Sequence, residues 1–570
     1  MAFIVKKNIK GNEYYYLNEN RRILGKVKTK TLAYLGKDKK EAEKKAAEFS
    51  KSEKIKENKM EKHEQTDVSV EELAAFCKRK GFVYPSGEIY GGLSGFYDYG
   101  HLGTLLKKNF ENIWRNFFLG LNNNFFEIEA SEIMPEKVFV ASGHLKNFSD
   151  IAAKCGKGHI ERADHLLEKH LNKKFEGLNS EDLFDLIKEN KIHCSVCKNQ
   201  IEYVGPINMM FPIHLGFDET ATAYLRPETA QSPYVNFKIQ YELARGKLPL
   251  GLALIGRAYR NELSPRNLLL RQRAFTQAEL QIFFNPKKIN EHENFKAIEN
   301  LVLRVVLNDE REKGIQEIKC GELAKRVPKF YVYYMEKVQQ FYLEILNFPR
   351  EKFRFFELNE KEKAFYNKNH FDIEAELGNL GWIEIGGVHY RTDHDLKGHQ
   401  EISGQSMSIF DEETKEKFIP HVLELSFGVD RNFQTLLTFA YSYNEKRDNI
   451  VLKLNPKISP IKTAIFPIVK KPEFEKIAKE IFIDLSLEWN VLYDESGSIG
   501  RRYARNDEAG TPFCVTVDEN SVKNKTVTIR ERNSGEQVKM KISVLKENLK
   551  KAISGKNILD FGRIIDTRKK

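Results

Sequence analysis

Apolar and polar residues alternate between positions 251 and 284, and this alternation predicts two antiparallel strands joined by a loop at Ser264–Asn267. Successive side chains of a strand point to opposite faces, so the even positions from Leu270 to Ile282 form a mostly apolar face. The other face carries charged and hydrogen-bonding groups around one aromatic ring, at Arg271, Arg273, Phe275, Gln277, Glu279 and Gln281. On the first strand, Arg260 and Glu262 share a face.

A second polar face is predicted on the strand that begins at His421. Its odd positions from 423 to 427 are apolar, whereas Glu424 and Ser426 fall on the opposite face. A helical period begins after Gly428 and places Arg431 in the first turn. A carboxylate, a hydroxyl and a guanidinium are therefore expected near one strand–helix junction.

The same patterns divide the chain into three parts and predict an α/β (α+β) protein. Residues 1–66 form an appendage of short strands with a turn at Gly11–Asn12, followed by a charged helix or linker. Residues 67–455 begin with a capping-box pattern and carry two insertions, one at about 150–205 and a helical one at 290–366. Residues 456–570 alternate strand-like and helical patterns, as a small α/β domain does.

Composition narrows the class of protein. A chain of 570 residues is too long for one hydrophobic core, and it holds no apolar run long enough to span a membrane. The N-terminus lacks the apolar core of a signal peptide, and six cysteines do not indicate a disulfide framework, so we expect a cytoplasmic protein. The net charge of +11 favours a polyanionic partner, although lysine-rich surfaces are often only solvated.

The polar face of the hairpin has two interpretations. It is either a solvent-exposed surface with cross-strand salt bridges or the lining of a polar site. Arginine binds phosphate oxygens in pairs, and the face of Phe275 suits a nucleobase. The strand–helix junction after His421 favours the second interpretation, because it adds Glu424, Ser426 and Arg431 to the same kind of chemistry.

These two segments resemble the second and third signature motifs of class II aminoacyl-tRNA synthetases. Longer stretches narrow the resemblance to the dimeric type of glycyl-tRNA synthetase over roughly residues 67–550. They are IYGGLSGFYDYGHLG (89–103), ASGHLKNF (141–148), RADHLL (162–167), YLRPETAQ (224–231), RNELSPRN (260–267), FTQAE (275–279), RTDHDL (391–396) and SGSIGRRYARNDEAGTPFCVTV (496–517).

The resemblance implies an antiparallel sheet flanked by helices and a site for ATP. Arg260 would hold the α-phosphate, Glu262 the adenine amino group and Arg431 the γ-phosphate, and these three would be the catalytic residues. Phe275 would stack under the base, and Arg271 and Arg273 are candidates for the polyphosphate, although one could instead brace the hairpin. The family's ATP-binding positions fall here on Arg260, Asn261, Glu262, Leu270, Arg271, Arg273, Phe275, Glu384, Ile385, Gly428 and Arg431.

The resemblance also implies a pocket for glycine and its adenylate. Glycine offers only an ammonium and a carboxylate, so its site needs acidic groups and no room beside the α-carbon. The corresponding positions are Arg162, Glu228, Phe275, Gln277, Glu279, Glu424 and Ser426. For each glutamate the alternative is a salt bridge to a nearby arginine. Ala274 and Leu425 depart from the family pattern, in which glutamate and proline are usual.

Two metal sites are expected. By resemblance, Asp372 and Glu384 would hold the catalytic Mg²⁺, which takes one or two carboxylates together with phosphate oxygens. Cys155, His159, Cys194 and Cys197 have a spacing that suits a structural Zn²⁺, with His193 as a competing ligand. The alternative is a set of free thiols in a surface insertion.

The segment after Pro456 resembles the family's anticodon-binding domain. Its basic cluster would contact RNA bases, the alternative being a basic surface turn; the residues are Arg501, Arg502, Tyr503, Arg505 and Asp507. The resemblance implies glycine, ATP and tRNA(Gly) as partners, and a homodimer formed through the helix at 102–119 and the strand ending at Pro135. Two other functions stay open: an RNA-binding paralogue without aminoacylation activity, and a class II synthetase for alanine or serine.

Overall fold

The computed structural model describes residues 2–9, 12–23, 26–36, 68–171, 173, 175, 178–216, 221–364, 366–411 and 415–565. The chain divides into two compact units, residues 1–66 and residues 67–570. In the first unit, the described residues form an antiparallel sheet in the order β1–β2–β3: β1 (Ala2–Ile9), β2 (Asn12–Ile23) and β3 (Lys26–Gly36). The predicted short strands are confirmed; the predicted charged helix or linker lies outside the described residues.

The second unit begins with short strands and helices that lead toward the central sheet. The strands are β4 (Val83–Pro85), β5 (Tyr97–Tyr99), β6 (Phe125–Glu127), β7 (Ile133–Pro135), β8 (Ser149–Cys155), β9 (Ile160–Arg162), β10 (Ile201–Asn208), β11 (Phe211–Leu215) and β12 (Ala221–Leu225). The helices are α1 (Val70–Lys80), α2 (His101–Phe118), α3 (Glu136–Ala141), α4 (His144–Asn147), α5 (Ala163–Leu171), α6 (Ser180–Glu189) and α7 (Gln231–Leu243).

Helix α1 shows how the local sequence sets an element boundary. The side chain of Ser69 accepts a hydrogen bond from the backbone N–H of Glu72, which satisfies one of the free donors at the helix N-terminus. The predicted capping box is half formed, because the Glu72 carboxylate accepts a hydrogen bond from Tyr441 Oη at 2.6 Å instead. The helix ends at Gly81, whose φ of 74° lies in the left-handed region.

The middle of the unit supplies most of the central sheet. Its strands are β13 (Leu250–Tyr259), β14 (Ala274–Phe284), β15 (Val302–Val306), β16 (Gln316–Lys319), β17 (Phe353–Glu357), β18 (Asn369–Glu376), β19 (Trp382–Thr392), β20 (Ile409–Asp411), β21 (Glu416–Phe418), β22 (His421–Gly428), β23 (Tyr441–Asn444) and β24 (Asn449–Leu452). Its helices are α8 (Phe295–Ile298), α9 (Cys320–Leu323), α10 (Lys329–Gln340), α11 (His394–Ser403) and α12 (Val429–Ala440).

A nine-stranded sheet in the order β16–β15–β17–β18–β19–β22–β14–β13–β6 forms the centre of the second unit. Its pairs are antiparallel except β6–β13 and β15–β17. The predicted hairpin is confirmed, with β13 and β14 paired from Leu250 with Phe283 to Tyr259 with Ala274. Its connection is longer than predicted and covers residues 260–273, so Arg260, Glu262, Arg271 and Arg273 lie outside the strands on which they were expected. Helices α2, α10 and α12 bury their apolar faces with the sheet in one large core. The opposite face packs against α7 through Leu250, Leu252 and Phe283, and it also carries polar side chains.

The expectation of a helical insertion at 290–366 is wrong. This segment contains helices α8, α9 and α10, but it also supplies β15, β16 and β17 to the central sheet. The buried side chains of Val305 and Phe355 pair across these strands and belong to the main core. Their burial outweighs the charge-rich composition that suggested solvated helices.

The last part folds around its own sheet, in the order β26–β25–β27–β28–β29–β30. The strands are β25 (Thr463–Pro467), β26 (Val491–Tyr493), β27 (Phe513–Val517), β28 (Thr526–Glu531), β29 (Gln537–Lys541) and β30 (Arg563–Ile565). The helices are α13 (Pro472–Ser486), α14 (Ile499–Ala509), α15 (Glu519–Lys523) and α16 (Leu545–Ile553). The α/β pattern predicted after Pro456 is confirmed. None of the helices in the described residues has the length and apolar character needed to cross a bilayer.

Candidate active site

Strands β14, β22, β19 and β18 lie side by side, and their register aligns polar residues in rows across the sheet. One row runs from Glu279 through Ser426 and Gly387 to Asp372. Because side chains at aligned positions point to the same face, residues from four separate segments meet in one site. The next row contains Gln281, Glu424, His389 and His370.

Glu279 is the centre of a buried acidic cluster. Its carboxylate accepts hydrogen bonds from Thr229 Oγ1 at 2.6 Å, Gln277 Nε2 at 2.8 Å and Ser426 Oγ at 2.9 Å. Only 2% of Glu279 is exposed, and among the described residues no cation forms an ion pair with it. Burial raises its pKa to about 8, and the neighbouring carboxylates of Glu424 and Glu228 act in the same direction.

Arg391 neutralises the other carboxylates of this cluster. Its guanidinium lies 2.9 Å from Asp395, 2.8 Å from Glu424 and 3.2 Å from Glu228, and only 1% of its side chain is exposed. Burial raises the pKa of Glu228, but Arg391 and His144 outweigh it and hold that pKa well below its usual range. One guanidinium therefore serves three carboxylates, and Glu279 is left to accept a cation from outside.

The three candidate glycine-binding glutamates are thus brought together as predicted, with Ser426 and Gln277 beside Glu279. The alternative of a salt bridge with an arginine holds for Glu228 and Glu424 and does not hold for Glu279. No role was predicted for Arg391, although it lies in the motif RTDHDL. The only signal in the sequence was a carboxylate four residues after the arginine, and the structure shows that the arginine is buried.

Arg260 and Arg431 lie on either side of a pocket at the end of the hairpin. Arg260 Nε donates to the Pro227 carbonyl at 3.0 Å, and its guanidinium carbon lies 5.2 Å from the centre of the Phe275 ring. Arg431 Nε donates to the Leu270 carbonyl at 3.0 Å, and its Nη1 lies 3.0 Å from Glu384 Oε2. The pocket therefore presents two cations near one aromatic face.

The remaining hairpin residues have internal partners. Arg271 Nε donates to Glu262 Oε2 at 2.8 Å, so the glutamate predicted to meet adenine already carries an ion pair. Arg273 donates to the Glu262 carbonyl at 3.0 Å and to the Ser94 carbonyl at 3.1 Å, which is the bracing role considered for one of the two arginines. Asn261 is exposed beside the pocket.

Three other predicted ATP-binding positions contribute mainly backbone to the site. Ile385 is fully buried, and its carbonyl accepts a hydrogen bond from Asn432 Nδ2 at 2.9 Å. The Gly428 carbonyl accepts from the same amide at 2.9 Å, which fixes the start of α12 and the position of Arg431. Leu270 is buried and offers its carbonyl to Arg431, as described above.

Asp372 and Glu384 lie on adjacent strands, and the charge of Glu384 acts on Asp372. Burial raises the pKa of Asp372 and so does Glu384, whereas His370, whose Nε2 lies 3.0 Å away, lowers it. Burial also raises the pKa of Glu384, but Arg431 outweighs it and the net direction is downward. Two carboxylates beside a pocket lined with arginines are oxygen donors of the kind that Mg²⁺ takes.

Two histidines that the sequence analysis did not consider link this pair to the acidic cluster. The rings of His370 and His389 are 4.1 Å apart, and Asn367 Nδ2 lies 3.3 Å and 3.2 Å from their Nδ1 atoms. His389 Nε2 lies 3.5 Å from Glu424, and burial lowers the pKa of His389 well below its usual range. The register of β18 and β19 places both rings in one row, but sequence alone does not reveal that register.

Arg162 lies near the hairpin and not inside the acidic cluster. Its Nη1 is 3.2 Å from Asp150, and its Nε donates to Asp164 at 3.0 Å. Asp150 also lies 3.3 Å from Arg271 Nη2, so the two arginines are joined through one carboxylate.

The four predicted zinc ligands come together. The ligand atoms of Cys155, His159, Cys194 and Cys197 all lie within 4.8 Å of one another, and His193 is outside this group. The Cys155–Cys197 sulfur distance is 3.6 Å, and His159 Nδ1 lies 3.7 Å and 3.8 Å from the sulfurs of Cys155 and Cys194. Ligands about 2.3 Å from a tetrahedral zinc would lie roughly 3.8 Å apart, so the donor set and its spacing fit the metal.

The predicted anticodon cluster lies on α14 and separates into two faces. Arg502 is buried and donates to the Pro467 carbonyl at 2.6 Å, and buried Asp507 accepts from Arg530 at 2.7 Å and 2.8 Å. These two side chains bind partners inside the domain, so the prediction that they contact RNA is corrected. Arg501 and Arg505 are exposed, and Tyr503 is half-buried.

Comparisons with known proteins agree with this arrangement. A family described as "Anticodon binding domain" matches residues 462–552. The chain is 37% identical to a glycine–tRNA ligase of Thermococcus sibiricus over 85% of this chain and 99% of that protein. The glycine–tRNA ligase of Methanocaldococcus jannaschii is 34% identical, with the same coverage of both chains.

A likeness to a solved structure supports the fold. A prolyl-tRNA synthetase from Cryptosporidium parvum, complexed with L-proline and AMP, gives a TM-score of 0.52 at 12% identity. The match covers 85% of this chain and 75% of that one. At this identity the likeness concerns the fold alone, which is that of a class II synthetase.

Proposed function

The chain belongs to the glycine–tRNA ligase family, and on that premise we propose that it joins glycine to tRNA(Gly) at the site described above. Glycine first reacts with ATP to give glycyl-adenylate and pyrophosphate, and the glycyl group then passes to the 3′ end of the tRNA. One observation carries the proposal: Glu279 is a buried carboxylate that has no cationic partner within the described ranges, and it lies a few residues along the same strand from an arginine-lined pocket.

Glu279 is the group that would receive the ammonium of glycine. A buried carboxylate that accepts three hydrogen bonds is held in place, and a bound cation removes the cost of ionising it. Gly387 lies between Ser426 and Asp372 in the row of aligned residues, and the space that a side chain would take there is occupied by the His389 ring. This ring leaves little room in the middle of the row, which suits a substrate without a side chain.

The nucleotide would lie between Arg260 and Arg431. Arg260 would bind the α-phosphate, Arg431 would bind the γ-phosphate, and Phe275 would stack on adenine. The glycine carboxylate then attacks the α-phosphorus while pyrophosphate leaves in line. Arg260 and Arg431 stabilise the charge that develops on the phosphoryl oxygens, and they are already held in place by backbone carbonyls.

Asp372 and Glu384 are the residues that would hold Mg²⁺. When bound, the ion would neutralise phosphate charge beside Arg431. The position of the two carboxylates on adjacent strands and the effect of Glu384 on the pKa of Asp372 support this assignment. Cys155, His159, Cys194 and Cys197 would hold a structural Zn²⁺ away from the reaction.

The tRNA would be contacted by the last domain. Arg501 and Arg505 supply exposed cations one helical turn apart on α14, whereas the Tyr503 ring packs against Phe466 inside the domain. We expect the chain to work as a homodimer. Phe126 on β6 and Ile133 on β7 are 42% and 41% exposed, so apolar side chains are available on the strands expected at that interface.

The proposal is tested by glycine-dependent exchange of labelled pyrophosphate into ATP, followed by charging of a tRNA pool. We expect both activities with glycine and neither with alanine or serine. Exchange with alanine or serine would favour a synthetase for another small amino acid. Binding of tRNA without exchange for any amino acid would favour the non-aminoacylating paralogue.

A further inference from the structure

The zinc cluster and the nucleotide pocket are connected by one hairpin. Cys155 is the last residue of β8, and His159 immediately precedes β9, so two of the ligands close the turn between these strands. The turn is tight, because Cys155 N–H donates to the His159 carbonyl at 3.1 Å. The hairpin is therefore fixed at one end by the cluster.

The other end of the same hairpin carries Asp150 and Arg162. Asp150 lies on β8, and its carboxylate bridges Arg162 at 3.2 Å and Arg271 at 3.3 Å. Arg271 in turn holds Glu262, whose side chain lines the nucleotide pocket. Asp150 is thus the carboxylate that joins the metal-bearing insertion to the nucleotide hairpin.

A second contact ties the remaining ligands to β9. Glu161, next to Arg162, accepts a hydrogen bond from the backbone N–H of Ser195 at 2.9 Å and another from the Ser195 hydroxyl. Ser195 lies between Cys194 and Cys197, so the second ligand pair is anchored to the strand that carries Arg162. Loss of the metal would release the turn of the hairpin and the second ligand pair from each other.

Besides the pairing of β8 with β9 and β10, the insertion has few restraints. Its buried apolar cluster is small and includes Cys155 and Cys194 themselves, together with Leu166, Leu167 and Leu183. A core of this size gives little stability without a covalent or metal constraint. The position of Asp150 is therefore expected to depend on a bound metal.

We propose that Asp150 is a positioning residue through which the zinc-closed hairpin holds Arg271 and Arg162 at the nucleotide pocket, so that ATP affinity depends on the metal. This rests on the proposed function for the identity of the nucleotide. Glu262 must offer a lone pair to the adenine amino group while paired with Arg271. Asp150 takes a second hydrogen of Arg271 and so keeps the guanidinium turned away from the base.

The test compares zinc content and ATP affinity in the full-length protein. Zinc is measured by elemental analysis, and binding of ATP with Mg²⁺ is measured by calorimetry without glycine or tRNA. The variants are Cys197→Ser, which removes a partly exposed ligand, Cys197→His, which replaces it by another zinc ligand, and Asp150→Asn. His193→Gln is the matched control, since His193 is next to Cys194 but outside the ligand group.

We expect about one zinc per chain in the wild-type, His193→Gln, Cys197→His and Asp150→Asn proteins. Chelated wild-type protein and Cys197→Ser should bind ATP about tenfold more weakly, as loss of supporting contacts around a site typically does. Asp150→Asn should keep its zinc and lose a similar factor in ATP affinity. Cys197→His should recover wild-type affinity, which a general loss of folding would not allow.

Unchanged ATP affinity in zinc-free protein, or in Asp150→Asn, would overturn the inference, and so would absence of zinc from protein expressed with zinc supplied. If Cys197→Ser does not fold, Asp150→Asn and the chelated protein decide the matter. Because ATP binding is measured without an amino acid, failure of the protein to activate glycine would contradict the proposed function and not this inference.

Discussion

Ionisation of Glu279 should control how glycine binding depends on pH. Its pKa of about 8 means that, without a ligand, the folded protein keeps this carboxyl protonated at neutral pH. Glycine binds as an ammonium and needs the carboxylate, so the fraction of competent protein is about 9% at pH 7 and about 76% at pH 8.5. We predict that kcat/KM for glycine rises roughly eightfold over this interval.

The substitution Glu279→Gln keeps the shape and removes the ionisation. The variant loses a charged hydrogen bond to the ammonium, worth about 1.5–3 kcal/mol, so glycine kcat/KM at pH 8.5 should fall roughly 10- to 150-fold. Its value should no longer rise with pH. The exposed Glu242→Gln on α7 is the matched control and should behave as the wild-type protein does.

Stability gives an independent readout of the same group. A folded-state pKa raised above the unfolded value stabilises the protein at low pH, and this contribution is lost as the pH rises through about 8. Unfolding in urea should therefore show a free energy that declines from pH 6 to pH 8.5 more steeply in the wild-type protein than in Glu279→Gln.

The assay is pyrophosphate exchange at saturating ATP, with glycine varied from pH 6.5 to 8.5. The KM for ATP is followed over the same range to remove effects on the nucleotide. A wild-type kcat/KM for glycine that does not change with pH would refute the reasoning, as would a Glu279→Gln variant that keeps the wild-type slope.

Four further substitutions test other parts of the site and the last domain. Arg260→Ala should abolish glycine-dependent exchange with an unchanged circular dichroism spectrum, and an unimpaired rate would remove Arg260 from the mechanism. Arg391→Met leaves three buried carboxylates without their cation, so the free energy of unfolding in urea should fall by about 3–5 kcal/mol; equal stability would contradict the role of Arg391. Arg501→Ala and Arg505→Ala should raise the KM for tRNA in charging assays while exchange is unchanged, and an unaltered tRNA KM would exclude them from RNA binding.

Alternation along the chain was sufficient to predict the strands that build the site. It placed Gln277 and Glu279 on one face of β14, and Glu424 and Ser426 on one face of β22. The alternation could not predict the register of the strands, because a shift of two residues keeps the same side chains on each face and changes every partner. The pairing of Glu279 with Ser426 is therefore a finding of the structure.

Three errors in the predictions have identifiable causes. On α14, a period of 3.6 residues turns Arg502 and Asp507 away from the side of Arg501 and Arg505, but the run of charges was interpreted as one cluster. Arg391 was missed because a buried arginine is identified by its partners. Glu228 and Glu424 come from distant segments of the chain, and Asp395 lies in the first turn of the following helix. In the segment 290–366, frequent charges concealed short strands whose apolar faces are buried.

The most direct test of the proposed activity is a competition. The protein is given equal concentrations of glycine, alanine and serine together with ATP and a tRNA pool, and the amino acid esterified to tRNA is identified by mass spectrometry. Glu279 is buried and has no cationic partner among the described residues, and the middle of its row is filled by the His389 ring, so we predict glycine alone on the tRNA. Alanine or serine on the tRNA in amounts comparable to glycine, or no amino acid at all, would contradict it.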